Sequence, residues 1–151
     1  MDLTWITDRI ALGGGIWHAG NMAEVAAEGI THIINMQVEF DERSLAQPHN
    51  IRVLWNPVDD DFQPKPPEIF QRGVQFAQDT LIQDGTRLFV HCAAGVHRAP
   101  MMTLAILGAQ GWQIEDAKVH IQQRRYIVDW AEVYVRSVER FLSTYPVPTR
   151  R

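Results

Sequence analysis

The sequence predicts an α/β fold, with a central, mostly parallel sheet of about five strands flanked by helices. Three observations carry this. Short apolar runs alternate along the chain with stretches of helical periodicity. The runs at 31–36 (THIINM), 52–58 (RVLWNPV) and 87–91 (RLFVH) have the length and β-prone composition of strands. The chain of 151 residues is long enough to bury a core and short enough to be one domain, 1–151.

The elements follow in order. Residues 3–6 and 10–12 read as a small leading hairpin or a pair of edge strands. Asn21 with Glu24 resembles a capping box for a short helix, which Gly29 can end. Strands at 31–36 and 52–58 come next, with Pro57 near the end of the second. A loop rich in Asp and Pro spans 59–67. The following helix has Pro66 or Pro67 in its first turn, and Phe70, Val74, Ala77 and Leu81 fall on one face. Asp84-Gly85 closes it, and 87–91 reads as a central strand. That strand enters a loop at 92–98, then an apolar helix from about Ala99 to Gln110, ended by Gly111. Helices at about 114–124 and 129–144 complete the fold, with Asp129 and Glu132 as cap residues of the last. Pro146 and Pro148 predict a frayed tail over 146–151.

Composition narrows the function. Apolar residues make up 46% and charged residues 21%, a globular balance that excludes wholesale disorder. Fourteen basic against eighteen acidic residues give a net charge of −4, which argues against a nucleic-acid coat or a polybasic membrane anchor. The longest mostly apolar run, 99–109, is too short to span a bilayer. Cys92 is the single cysteine, so an internal disulfide and the cysteine-rich zinc sites are excluded by count. The amino terminus lacks the basic start and apolar stretch of a signal peptide. A cytoplasmic location is expected. The six histidines show no ligand constellation, so neither a metal nor a cofactor is expected. Gly15 to Gly20 has the spacing of a nucleotide loop, but Asn21 and Met22 stand where Lys and Ser/Thr are needed. The five tryptophans, Trp5, Trp17, Trp55, Trp112 and Trp130, read as core or partly buried anchors.

The informative segment is His91-Cys92-Ala93-Ala94-Gly95-Val96-His97-Arg98, between a predicted strand and a predicted helix. A loop there can turn its N–H groups toward one point at the helix amino terminus, where a tetrahedral oxyanion binds. Gly95 permits the positive φ this needs. Arg98 offers a planar fork to two phosphate oxygens. The same donors favour a thiolate at Cys92.

His-Cys-x5-Arg after an apolar strand resembles the signature of the cysteine-dependent protein tyrosine phosphatase superfamily. The resemblance is greatest to the dual-specificity branch, through 9–14 (RIALGG), Asn21, 29–35 (GITHIIN), Phe70-Gln71-Arg72 and Phe76. It implies that branch's strand–phosphate loop–helix unit and a phosphomonoester hydrolase acting on phosphotyrosine, phosphoserine and phosphothreonine. Cys92 is then the nucleophile, and Arg98 with the amides of Ala93, Ala94, Gly95, Val96 and His97 holds the phosphoryl oxygens. An aspartic acid on an earlier loop protonates the leaving oxygen and later activates water. Asp59, Asp60 and Asp61 are candidates, and alignment on Phe70-Gln71-Arg72 favours Asp60, with Asp61 second. His91 is a supporting residue that orients the loop. Phe62 is placed to wall a fairly shallow pocket. Arg124-Arg125 reads as a helix end facing the dipole, or as support for the loop.

One position departs from the pattern. Ala99 follows Arg98, where the family usually carries Ser or Thr, and the Arg-Ala-Pro ending resembles the phosphatases of regenerating liver. Slow breakdown of the phosphocysteine is the expectation, and a phosphate-binding module that turns over slowly or not at all is the first alternative. A rhodanese-like sulfurtransferase is the second, disfavoured by the Asp-rich loop. The expected partner is a phosphorylated protein or small phosphoester, with neither nucleic acid nor membrane. Oxidation of Cys92 has no second cysteine to resolve it, so protection by a backbone sulfenamide or an external thiol is expected.

Overall fold

The computed structural model describes residues 1–146. Its elements are β1 (Leu3–Trp5), β2 (Ile10–Gly13), α1 (Ala19–Ala27), β3 (His32–Asn35), α2 (Arg43–Ala46) followed by a 3₁₀ turn (Gln47–His49), β4 (Arg52–Trp55), α3 (Pro67–Leu81), β5 (Leu88–His91), α4 (Arg98–Ala109), α5 (Ile114–Arg124) and α6 (Glu132–Thr144). They form one five-stranded sheet in the order β1-β2-β5-β3-β4. β1 runs antiparallel to β2, and the other three pairings are parallel.

The strand sequences explain the layering. β2 and β5 are buried at every residue, as parallel strands covered on both faces must be. Side chains of β2, β3 and β5 alternate between two cores. Ile10, Leu12, Ile34, Leu88 and Val90 face the larger core under α3 to α6. Ala11, Ile33 and Phe89 face the smaller one with Ile16, Met22 and Val25. α4 is buried at all twelve positions, so its apolar-all-round sequence marks the central helix of the larger layer. Pro100 is tolerated there because the amides of a first helical turn need no partner within the helix. No helix among the described residues is long and apolar enough to cross a membrane.

Several sequence expectations are corrected. β1 and β2 form the expected leading hairpin, but β2 is an interior strand rather than an edge, because it pairs with β5 as well as β1. α1 starts two residues before Asn21. His18 is its cap, with Nδ1 accepting from the Asn21 N–H, while Asn21 Oδ1 accepts from the Trp17 N–H. α6 starts at Glu132 behind Ala131, with no side-chain cap, because the Asp129 carboxylate is turned toward His97. β4 ends at Trp55, short of the expected Val58, although the Asn56 N–H still donates to Asn35 O at the end of β3 and the Val58 N–H to Met36 O just after it. α2 lies in a stretch that sequence periodicity does not mark. Trp17 is 46% exposed, unlike the other four tryptophans. Most of the tail expected to fray, 147–151, lies outside the described residues.

Candidate active site

The parallel strands point their carboxyl ends the same way, and the connections leaving β3, β4 and β5 meet there. The loop after β5 is built by its carbonyls. Those of five consecutive residues are each taken by a donor outside the loop. Ala93 O accepts from the Gly15 N–H (3.0 Å), Val96 O from the Asp129 N–H (3.2 Å) and His97 O from the Met101 N–H (3.1 Å). Ala94 O and Gly95 O accept from Arg125 Nη2 (3.1 Å) and Nε (2.9 Å). With its carbonyls drawn outward, the loop turns amides to the inside. Gly95 N–H and Ala99 N–H both donate to Cys92 Sγ, at 3.3 and 3.4 Å. This is a nest for an anion, with the sulfur at its base.

Arg125 is the clamp of this loop. Beyond the two carbonyls it donates to Asp2 through Nη1 and Nη2 (2.8 and 2.7 Å) and to Thr4 Oγ1 (2.9 Å). Loop support is therefore its role, not the helix dipole. Asp2 is held below the usual carboxylate range, chiefly by this hydrogen bond. Gly95 has a φ of +67°, and a Cβ there would stand 2.7 Å from Gly13 C and 2.5 Å from Arg125 Nη2. Only glycine fits.

Arg98 is buried at the start of α4. Its Nη1 and Nη2 grip Glu39 Oε1 and Oε2, each at 2.7 Å, and Nη1 also donates to Val58 O at 3.1 Å. Those bonds use three of the five N–H groups. Nε has no partner among the described residues. The Nε–Nη2 edge is thus free as a pre-oriented fork. The Arg98 hydrogen bond pulls the Glu39 carboxyl down to about 2. Glu39, in the loop after β3, carries no sequence signal, because the contact joins residues far apart in the chain.

The three aspartates part company. Asp60 Oδ2 lies 3.1 Å from His97 Nδ1, and its Oδ1 accepts from Tyr134 OH at 2.9 Å. Asp61 faces Lys65 and accepts from the Gln63 N–H (3.1 Å), which lower its pKa. Among the described residues Asp60 is the aspartate of the trio hydrogen-bonded to the loop after β5. Tyr134 also accepts from the Phe62 N–H (2.9 Å), and burial pushes its phenol up to about 12, so it remains a donor. Phe62 stands half-exposed with a φ of +58°, stacked on Tyr134 and edge-on to His97. It flanks the loop, as its position in the sequence suggests.

His91 is fully buried. Its Nε2 meets Glu42 Oε1 at 2.7 Å, while Nδ1 lies 3.4 Å from Cys92 O. Glu42 also bonds Asn35 at the end of β3. His91 thus ties the base of the loop to β3 and α2. Tyr134, Asp129, Glu39 and Glu42 are the contributors that sequence reasoning missed.

The model of one protein family, described as dual specificity phosphatase, catalytic domain, matches residues 15–141. The chain belongs to that family. This dual specificity phosphatase domain is 34% identical over 133 residues to Protein phosphatase Slingshot homolog 3 of Rattus norvegicus, covering 85% of the chain but 19% of that protein. It is 28% identical over 116 residues to Dual specificity protein phosphatase 5 of Rattus norvegicus, covering 76% of the chain and 29% of that protein. The domain therefore spans well under half the length of these relatives. The crystal structure of PTPMT1 superposes with a TM-score of 0.81 at 21% identity, over 93% of this chain and 94% of that one. That of DUSP15 gives 0.76 at 22% identity, over 95% and 88%. These two likenesses establish the fold.

Proposed function

We propose that this domain hydrolyses phosphomonoesters on protein side chains, phosphotyrosine together with phosphoserine and phosphothreonine, through a phosphocysteine intermediate. The observation that carries the reading is the loop whose carbonyls from Ala93 to His97 are all tied outward, with Cys92 Sγ at its base and, among the described residues, an unengaged Arg98 edge beside it. Cys92 attacks phosphorus, and the P–O bond to the leaving group breaks as the S–P bond forms. Loop amides and the Nε–Nη2 edge of Arg98 receive the equatorial oxygens, where charge must be matched in the transition state. Asp60 gives its proton to the leaving oxygen. Its carboxylate then takes a proton from water, which attacks phosphorus and releases Cys92 and phosphate. Ala93, Ala94 and Val96 bring no charge to the loop, which suits a phosphorylated side chain better than a polyanionic headgroup.

Asp60→Asn is expected to lower kcat for phenyl phosphate by about 10²-fold, the range of a general acid. Asp61→Asn is expected to change it by less than about threefold. Equal losses in the two variants count against the assignment of Asp60.

Ala99 supports a slow second step. It is fully buried, and its N–H reaches Cys92 Sγ, but it has no hydroxyl to offer the departing thiolate. In rapid mixing with p-nitrophenyl phosphate the expected result is a stoichiometric burst followed by slow release. Ala99→Ser adds one hydrogen bond to the sulfur, worth about 1–1.5 kcal/mol, so steady-state turnover should rise about tenfold with the burst unchanged. Complete absence of product from folded, reduced protein moves the reading to a phosphate-binding module. The retained Cys92, Arg98 and Asp60 weigh against that module, and the acid loop against a sulfurtransferase.

A further inference from the structure

His97 contributes its backbone amide to the mechanism above, yet its side chain is also held, at both ring nitrogens. Nδ1 lies 3.1 Å from Asp60 Oδ2 and Nε2 lies 2.9 Å from Asp129 Oδ2. The ring of Phe62 stands edge-on to it, at 5.0 Å between centroids and 76° between planes. Asp129 is anchored in turn, because its own N–H donates to Val96 O in the phosphate loop. The tie therefore runs from the acid loop through His97 to a second loop that is fixed on the same anion nest.

We infer that His97, oriented by Asp129, is a positioning residue that holds the Asp60 carboxyl over the phosphate loop for the first proton transfer, an inference that rests on the phosphatase reading. A carboxylate on one ring nitrogen fixes what the other can do. With its Nε2 proton donated to Asp129, the imidazole keeps Nδ1 for Asp60. That contact survives whichever partner carries the shared proton. Before the first transfer one proton lies between Asp60 Oδ2 and Nδ1; it departs with the leaving oxygen, and the proton that Asp60 later takes from water restores the pair. The first transfer needs Asp60 as an acid, so a partner that can both donate and accept suits the role. Tyr134 OH, a donor only toward Oδ1, fixes the carboxyl's other oxygen. Two oxygens held from two elements leave the carboxyl little rotational freedom, and positioned groups lose their effect steeply with misplacement.

The test separates positioning from general structural support. The probes are phenyl phosphate, whose phenolate leaves poorly without a proton, and 2,4-dinitrophenyl phosphate, whose leaving group departs as the anion. In Asp129→Ala, a change at a side chain 68% exposed, the ratio of kcat/KM for the dinitrophenyl over the phenyl ester is expected to rise about tenfold. His97→Asn keeps an N–H donor near the place of Nδ1, so its ratio should lie between those of the wild type and His97→Ala. Loss of activity on both esters in the same proportion, with the ratio fixed in Asp129→Ala, overturns the inference and leaves the phosphatase reading standing. A wild-type protein that turns over neither ester overturns both.

Discussion

Gly95→Ala should lower kcat/KM for p-nitrophenyl phosphate by about 10²–10³-fold, as the loss of an oxyanion donor does. The new methyl meets a wall that cannot yield cheaply. It stands 2.7 and 2.8 Å from Gly13 C and O, which belong to interior strand β2, and 2.5 Å from Arg125 Nη2. The φ of +67° adds the cost of a left-handed residue, about 1 kcal/mol. Relief requires the loop to lift or Arg125 to withdraw. Either movement releases carbonyls now held outward and turns amides off the phosphoryl position. The thermal midpoint should fall as well, since the strain sits in the native state. The measurements are steady-state kinetics and a melting curve. Wild-type kinetics in Gly95→Ala would contradict the account of how the nest is built.

Arg98→Lys should cost about 10³-fold in kcat/KM, because two charge-assisted hydrogen bonds to the transition state are replaced by a point charge. A lysine ammonium has neither the second fork for Glu39 nor the reach to keep Val58 O and the phosphate together. The same variant tests the ion pair. Folding holds the Glu39 carboxyl at about 2, below its ordinary 4.5. A depressed carboxyl contributes stability that is full above about 4.5 and is lost as pH falls toward about 2. In Arg98→Lys that part of the acid dependence should shrink, read as a smaller drop in melting temperature between neutral and acid solution. Glu39 is partly exposed, so the effect is modest and screened by salt. An acid dependence identical in the two proteins would remove Arg98 as the cause of the shift.

Much of this domain is legible in local sequence because local physics governs it. The strand runs at 31–36 and 87–91, the face of Phe70, Val74, Ala77 and Leu81, and α5 at 114–124 depend on periodicity and turn residues that lie close together in the chain. The His91–Arg98 segment is equally local, since a strand end, a glycine and a helix start suffice to predict an anion nest with a cysteine in it. Helix starts were less legible. His18 and Ala131 precede α1 and α6, while the residues with cap-like chemistry, Asn21 and Asp129, bond elsewhere.

Tertiary structure alone decided which groups complete the site. Glu39 reaches Arg98, Arg125 reaches Gly95 and Asp2, and Tyr134 reaches Asp60 across separations of tens of residues or more. No periodicity encodes such pairs. They exist because a parallel sheet gathers the carboxyl ends of β3, β4 and β5 at one edge, and the helices behind it bring α5 and α6 to the same place. The contacts that set Asp60 and Asp61 apart are of this kind, although alignment on Phe70-Gln71-Arg72 already favours Asp60. Adjacent in sequence and alike in chemistry, Asp60 and Asp61 are distinguished by which faces His97 and Tyr134 and which is spent on Lys65.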